Sequence, residues 1–99
     1  MPTGEFTVAT NGRHEMIDLT ARVEQEVAAT GVTEGVLVLY NPHTTAGITI
    51  NEGADPDVRR DLVGAIERIV PRDYPYRHAE GNSPAHLMTM LTGSSATVL

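Results

Sequence analysis

Apolar and polar positions change period several times along the chain, and each change marks an element. Residues 5–10, EFTVAT, alternate and place Phe6 and Val8 on one face of a predicted strand. Residues 15–20, EMIDLT, predict a second strand, and the TNGR turn between the two favours a hairpin. The period then lengthens. Thr20 is the expected N-cap of a helix over residues 21–30, with Val23, Val27 and Ala28 as its apolar stripe. Arg22, Glu24, Gln25 and Glu26 face water, and Gly31 ends the helix.

GVLVLY, residues 35–40, is almost continuously apolar and predicts a central strand covered on both faces. AGITIN, residues 46–51, alternates again, so these two strands form an expected hairpin with His43 at the tip of the NPHTT connection. Asp55 followed by Pro56 is a helix start, a side-chain cap followed by a residue whose missing N–H is harmless at the first position. That helix should run over residues 56–69, bury Val58, Leu62, Ala65, Ile66 and Ile69, and stop before Pro71. A loop follows. Ser83-Pro84 repeats the device, predicting a helix over residues 84–91 that ends at Gly93, and SSATVL begins another strand. The order is that of an α+β domain. A strand there leaves an open edge and an under-filled core, which calls for a further segment or a neighbouring subunit.

Composition narrows the chemistry. With 40% hydrophobic residues, no Trp and one Phe in 99 residues, the core of this single domain must be aliphatic. The absence of cysteine excludes disulfides, thiolate catalysis and cysteine zinc sites, and fits the cytoplasm better than secretion. A net charge of −6 disfavours nucleic acid and anionic membranes as partners. The N-terminal residues lack a signal-peptide pattern, and no apolar run reaches membrane-spanning length.

Of the four histidines, His14 falls in a polar turn and is expected in solvent. His43 lies at a hairpin tip, His78 in a long loop, and His86 in the first turn of a helix, where exposed N–H groups favour an anion. Three neutral imidazoles with an open fourth position can hold a catalytic zinc, although scattered histidines in a small domain are more often ordinary surface residues. Glu52 is balanced between a catalytic role and a helix-start role. Asn51 is roughly 26 Å along an extended chain from His43 at about 3.3 Å per residue, so the two belong to separate subsites or need a second subunit. Gly81 permits a bend that turns His78 and Asn82 toward one cavity. Thr44 and Thr45 either bind phosphate oxygens or close their turn.

Three stretches, PHTTAGITINEGADPDVRRDL, RIVP and YRHAEGNSPAHLMTMLTGSS, resemble the YjbQ-like family, also called secondary thiamine-phosphate synthases, in order over residues 5–99. The resemblance implies a β(2)-α-β(2)-α two-sheet sandwich assembling as a homotrimer. It also implies a weak transferase activity that joins hydroxymethylpyrimidine diphosphate to a thiazole phosphate and releases pyrophosphate. By position, His43, His78 and His86 would hold a divalent metal, zinc first, with magnesium an option beside a diphosphate. Asn51 and Glu52 would be catalytic, and Thr44, Thr45, Gly81 and Asn82 would bind the phosphorylated substrate. Asp55 corresponds to the Asp of the family's Asp-Pro pair.

Two departures stand out. Pro84 replaces the family's usual Asp, and family chains continue past SSATVL into strands with Trp-Gln and acidic-Gly-Pro-Arg segments. Residues 1–99 therefore read as one YjbQ-like domain, either a fragment truncated at its C-terminal side or a naturally short protein with an incomplete site and an exposed edge. The competing expectations are a non-catalytic module that captures a phosphorylated small molecule, and a structural protein with unrelated histidines.

Overall fold

The computed structural model describes residues 1–99 in the order α1 (Thr20–Thr30), β1 (Leu37–Tyr40), α2 (Pro56–Ile69), α3 (Ser83–Thr92) and β2 (Ser95–Val98). This is a small α+β fold with one two-stranded antiparallel sheet, in which Leu37 pairs with Val98 and Tyr40 with Ser95. The β(2)-α-β(2)-α arrangement of two sheets is not formed by these residues. Residues 5–10, 15–20 and 46–51 have no strand ladder, and β1 pairs with β2 instead of with 46–51. Alternation shows that a segment could lie in a sheet, but a ladder also needs a second strand to satisfy its N–H and C=O groups.

The helix ends follow the local chemistry. Asp55 accepts from the Asp57 N–H at 2.9 Å, and Pro56 opens α2. At the other end Pro71 disfavours helical geometry at the preceding residue, and Val70 takes φ −108°, ψ 97° while its N–H still reaches Ile66 O at 2.9 Å. The cap of α1 lies earlier than expected. Leu19 is the N-cap residue and makes no side-chain cap, Thr20 is helical, and Asp18 Oδ1 accepts from the Thr20 N–H at 2.9 Å and its hydroxyl at 2.6 Å. Gly31 ends α1 in the left-handed conformation, φ 77°.

The buried stripe of α2 is rotated from its expected position. Val58, Arg59, Leu62, Val63 and Ile66 are half-buried, whereas Ala65 is exposed and Ile69 is 67% exposed. The ridge 58–62–66 runs on into Val70, the one side chain wholly removed from solvent. Ahead of α1, Phe6 lies beneath the Arg22 guanidinium at 5.1 Å, a cation–π contact that holds the N-terminal segment on the helix.

A radius of gyration of 15.4 Å exceeds the roughly 13 Å of a compact chain of about 100 residues. Val36, Val38 and Tyr40 are each about two-thirds exposed, and Ile50 and Met90 are similarly open. Of these, Val38 and Tyr40 share one face of β1, and that face is open to solvent.

Candidate functional site

The last turn of α3 and the start of β2 meet the 40–44 segment at an open cleft. Gly93 follows α3, its N–H on Thr89 O at 2.8 Å, and its carbonyl receives the Ile48 N–H at 3.0 Å. One residue on, Ser94 O accepts from the Asn41 N–H at 2.9 Å. These two bonds bind the 41–48 loop to the α3–β2 junction, beyond the Tyr40–Ser95 end of the ladder. Gly47 must be glycine for this close approach, because a β-carbon there would overlap Thr92 Oγ1 and stand 2.9 Å from the Gly93 carbonyl oxygen.

The result is an open cleft of about 400 Å³ lined by Tyr40, Asn41, Pro42, His43 and Thr44 on one side and His86, Thr89, Met90, Gly93 and Ser94 on the other. His86, Thr89, Met90 and Gly93 follow the three- and four-residue spacing of one helix face. Asn41 Oδ1 accepts the His43 N–H at 2.9 Å, fixing the turn from which that imidazole rises. The Thr89 hydroxyl is engaged with Ala85 O at 3.0 Å. No carboxylate lines the cleft.

Three of the expected site residues, His43, Thr44 and His86, therefore share one wall-to-wall space although His43 and His86 are far apart in sequence. His78 approaches from the turn before α3. Its ring lies 5.5 Å from that of His86, edge to face at 81°. Gly81, at φ 74°, closes this turn with its N–H on His78 O at 3.2 Å. Asn82 is the N-cap residue of α3 by its main-chain carbonyl, which accepts from Ala85 N at 3.1 Å and His86 N at 3.3 Å. Its side chain makes no cap, and Asn82 Oδ1 is buried without a partner, an acceptor suited to a ligand donor and not to a phosphate oxygen.

The remaining site residues lie elsewhere. Asn51 Oδ1 accepts the Glu52 N–H at 2.8 Å, and Glu52 Oε1 accepts from Ala54 N at 2.9 Å and Asp55 N at 3.3 Å. Both side chains thus serve the turn into α2, and neither they nor Thr45 line the cleft. The three-histidine metal set is not assembled either, since no three His, Asp or Glu side chains are grouped closely enough to hold an ion. His86 instead makes two separate pairings, facing the cleft with His43 and packing on His78.

His14 departs from expectation most sharply. Its side chain is only 11% exposed, and Nδ1 lies 3.5 Å from Glu67 Oε2 on α2. The alternation in residues 15–20 obscured this contact, because it arises from docking the preceding turn on a helix fifty residues away. Tyr40, Asn41, Thr89 and Ser94 were also missed as cleft residues; only the adjacency of Asn41 to His43 offered a signal.

An α+β fold with a polar, two-histidine cleft between a loop and a helix end is the class these features define. The match to the family described as UPF0047 protein YjbQ-like spans residues 4–99, and the chain belongs to that family. It is 40% identical over 95 residues to the UPF0047 protein MJ1081 of Methanocaldococcus jannaschii, covering 96% of this chain and 69% of that one. It is 45% identical over 93 residues to UPF0047 protein YugU of Bacillus subtilis, covering 93% and 70% of the respective chains. Among solved structures, an uncharacterised YjbQ/UPF0047 protein of Clostridium acetobutylicum is similar with TM-score 0.87 and 45% identity, over 92% of this chain and 70% of that one. The hypothetical protein APE1520 of Aeropyrum pernix gives TM-score 0.91 at 37% identity, over 98% and 73%. No helix of the chain is long and apolar enough to cross a membrane.

Proposed function

We propose that the His43–His86 cleft binds a phosphorylated small molecule. The observation that carries this reading is the meeting of two imidazoles and the Thr44 and Ser94 side chains, from separate elements, in a space without carboxylates. Hydroxyl and imidazole N–H donors match phosphate oxygens.

In its finer form the reading is that of a weak thiamine-phosphate synthase-like transferase, working as a homotrimer in the cytoplasm. The resemblance carried by the His-Thr-Thr and His-x-Glu-Gly-Asn motifs is what favours it. The site would then use His43, His78 and His86 for zinc, or magnesium beside a diphosphate, with His86 as the shared member of the two pairings. The rings as placed do not meet the needs of a metal, and the chemical role left to this chain's own residues is to bind and orient phosphate and exchange protons at imidazole nitrogen. A second sheet and cover for Val36, Val38 and Tyr40 would come with the trimer.

Capture without turnover is the second reading, and one observation favours it. Glu52, the catalytic carboxylate of the first reading, is engaged by two main-chain N–H groups of the turn into α2.

Pyrophosphate titration by calorimetry, zinc content after dialysis, and coupling of hydroxymethylpyrimidine diphosphate to thiazole phosphate test the set on wild type, His43→Ala and His86→Ala. At least tenfold weaker pyrophosphate binding in both variants is expected. Product formation lost with it supports the transferase, and binding without product supports the capture module. Unchanged binding in both variants removes the cleft from consideration.

A further inference from the structure

The TNGR turn closes no hairpin. Residues 5–10 and 15–20 form no ladder, and the Asn11 and Gly12 N–H groups enter no main-chain hydrogen bond. Both turn instead to one side chain. Glu15 Oε2 accepts from the Asn11 N–H at 3.1 Å and from the Gly12 N–H. This approach requires glycine, since a β-carbon on residue 12 would stand 2.8 Å from the same oxygen. Asn11, Gly12 and Glu15 are all exposed, so water reaches the turn.

The other asparagines lack this combination. Asn41 precedes Pro42, whose nitrogen carries no hydrogen. Asn51 Oδ1 is engaged with the Glu52 N–H at 2.8 Å, and Asn82 precedes Ser83, the first residue of α3. Asn11 alone is followed by glycine. A peptide nitrogen after asparagine can attack that residue's own Cγ, and glycine obstructs the approach least. The nitrogen is a weak nucleophile because its lone pair is delocalised, and a base on its N–H lifts that restraint. The hydrogen bond lies in the peptide plane, so a base held there leaves the face of the nitrogen open to Cγ.

We propose that Asn11–Gly12 is a self-modification site, at which Glu15 acts as general base to convert Asn11 into aspartate and isoaspartate. Glu15 Oε2 takes the Gly12 N–H proton as the Gly12 N–Cγ bond forms and the Asn11 Cγ–Nδ2 bond breaks. That proton leaves with Nδ2 as ammonia, and a five-membered imide remains. Water opens the imide at either carbonyl carbon, breaking one C–N bond and making one C–O bond, with no change in oxidation state. The new carboxylate at position 11 faces Glu15, and like charges in contact repel. Conversion therefore releases the turn that precedes His14, whose ring is docked on Glu67 at 3.5 Å.

The whole chain is aged in neutral buffer, and peptide mass mapping with chromatographic separation of the isoaspartyl form follows residue 11. Conversion should concentrate at Asn11. The folded chain should convert at least threefold faster than the same chain in urea, where Glu15 is no longer held against Gly12. Glu15→Gln keeps the size of the side chain and removes the base. It should slow the folded chain at least fivefold and leave the rate in urea unchanged. In the converted chain the His14 imidazole NMR signal should move while those of His43 and His86 stay. Equal rates in folded wild type and Glu15→Gln overturn the proposal, as does a folded chain that converts no faster than the unfolded one. The second comparison needs no variant, so it decides the matter even where Glu15→Gln fails to fold. An unmoved His14 signal after conversion overturns the release of the turn.

Discussion

Gly47 lies so close to Thr92 that no β-carbon fits between them, and this contact draws the loop carrying His43 onto the end of the helix carrying His86. The bond from Ile48 N to Gly93 O at 3.0 Å depends on the same approach. The cleft is thus built by a glycine that does not line it.

Gly47→Ala should force the loop away from α3. Overpacking of this kind costs about 1–3 kcal/mol, to be read as a lower urea midpoint at unchanged slope. The imidazole signals of His43 and His86 should move with it, while His14, which contacts Glu67 and not the cleft, stays in place. An unshifted midpoint would mean that the loop and helix are not held together in this way.

Gly64→Ala should do the opposite. Gly64 is inside α2, and nothing lies within 4 Å of an added β-carbon. Relief of glycine's entropic penalty should stabilise the protein by about 0.5–1 kcal/mol. Together the two substitutions separate a glycine required by close packing from one that is merely permitted.

Asp18 supplies a pH dependence whose sign follows from its partners. The Thr20 hydroxyl and then the Thr20 N–H hold its carboxyl below the ordinary value; a slight desolvation opposes them, and the charge of Arg59 adds the smallest lowering effect. A depressed folded-state pKa contributes stability that is fully present above the unfolded value, near 3.9 for about any free Asp. It is lost as pH falls from there through the folded value. Carbon-detected NMR titration should place the Asp18 midpoint below that of an exposed Asp, and Thr20→Val should raise it. In Asp18→Asn, the part of the acid unfolding slope that belongs to this group should disappear. An Asp18 midpoint unaffected by Thr20→Val would refute the assignment.

The sequence was most readable where chemistry is local. Asp55-Pro56, Val70-Pro71 and Gly31 each govern a helix end through their own backbone or a neighbour two residues away, and α2 begins and ends where these residues require. Strands depend on distant partners. GVLVLY announced β1, but its pairing with Ala96 and Thr97 cannot be read from either segment, and AGITIN, nearer in sequence and equally alternating, was the more obvious candidate. The site divides in the same way. His43 and His86 converge because of that distant pairing and the Gly47 contact, while Glu52 was uncertain because a carboxylate before a helix suits a turn as well as it suits catalysis.

The phase of α2 gives the last test, because its apolar residues are more numerous than its buried ones. Ile69 matches the periodic pattern yet is 67% exposed, whereas Val70, just outside the helix, is fully buried. Val70→Ala removes two methyl groups from the only closed part of the core, and with the cavity contribution should cost about 2 kcal/mol. Ile69→Ala should cost less than about 0.5 kcal/mol, the ordinary range for a surface change. Paired urea unfolding curves decide between the two phases. If Ile69→Ala proves the more damaging, residue 69 is covered in solution, and the stripe runs along the face that periodicity alone predicts.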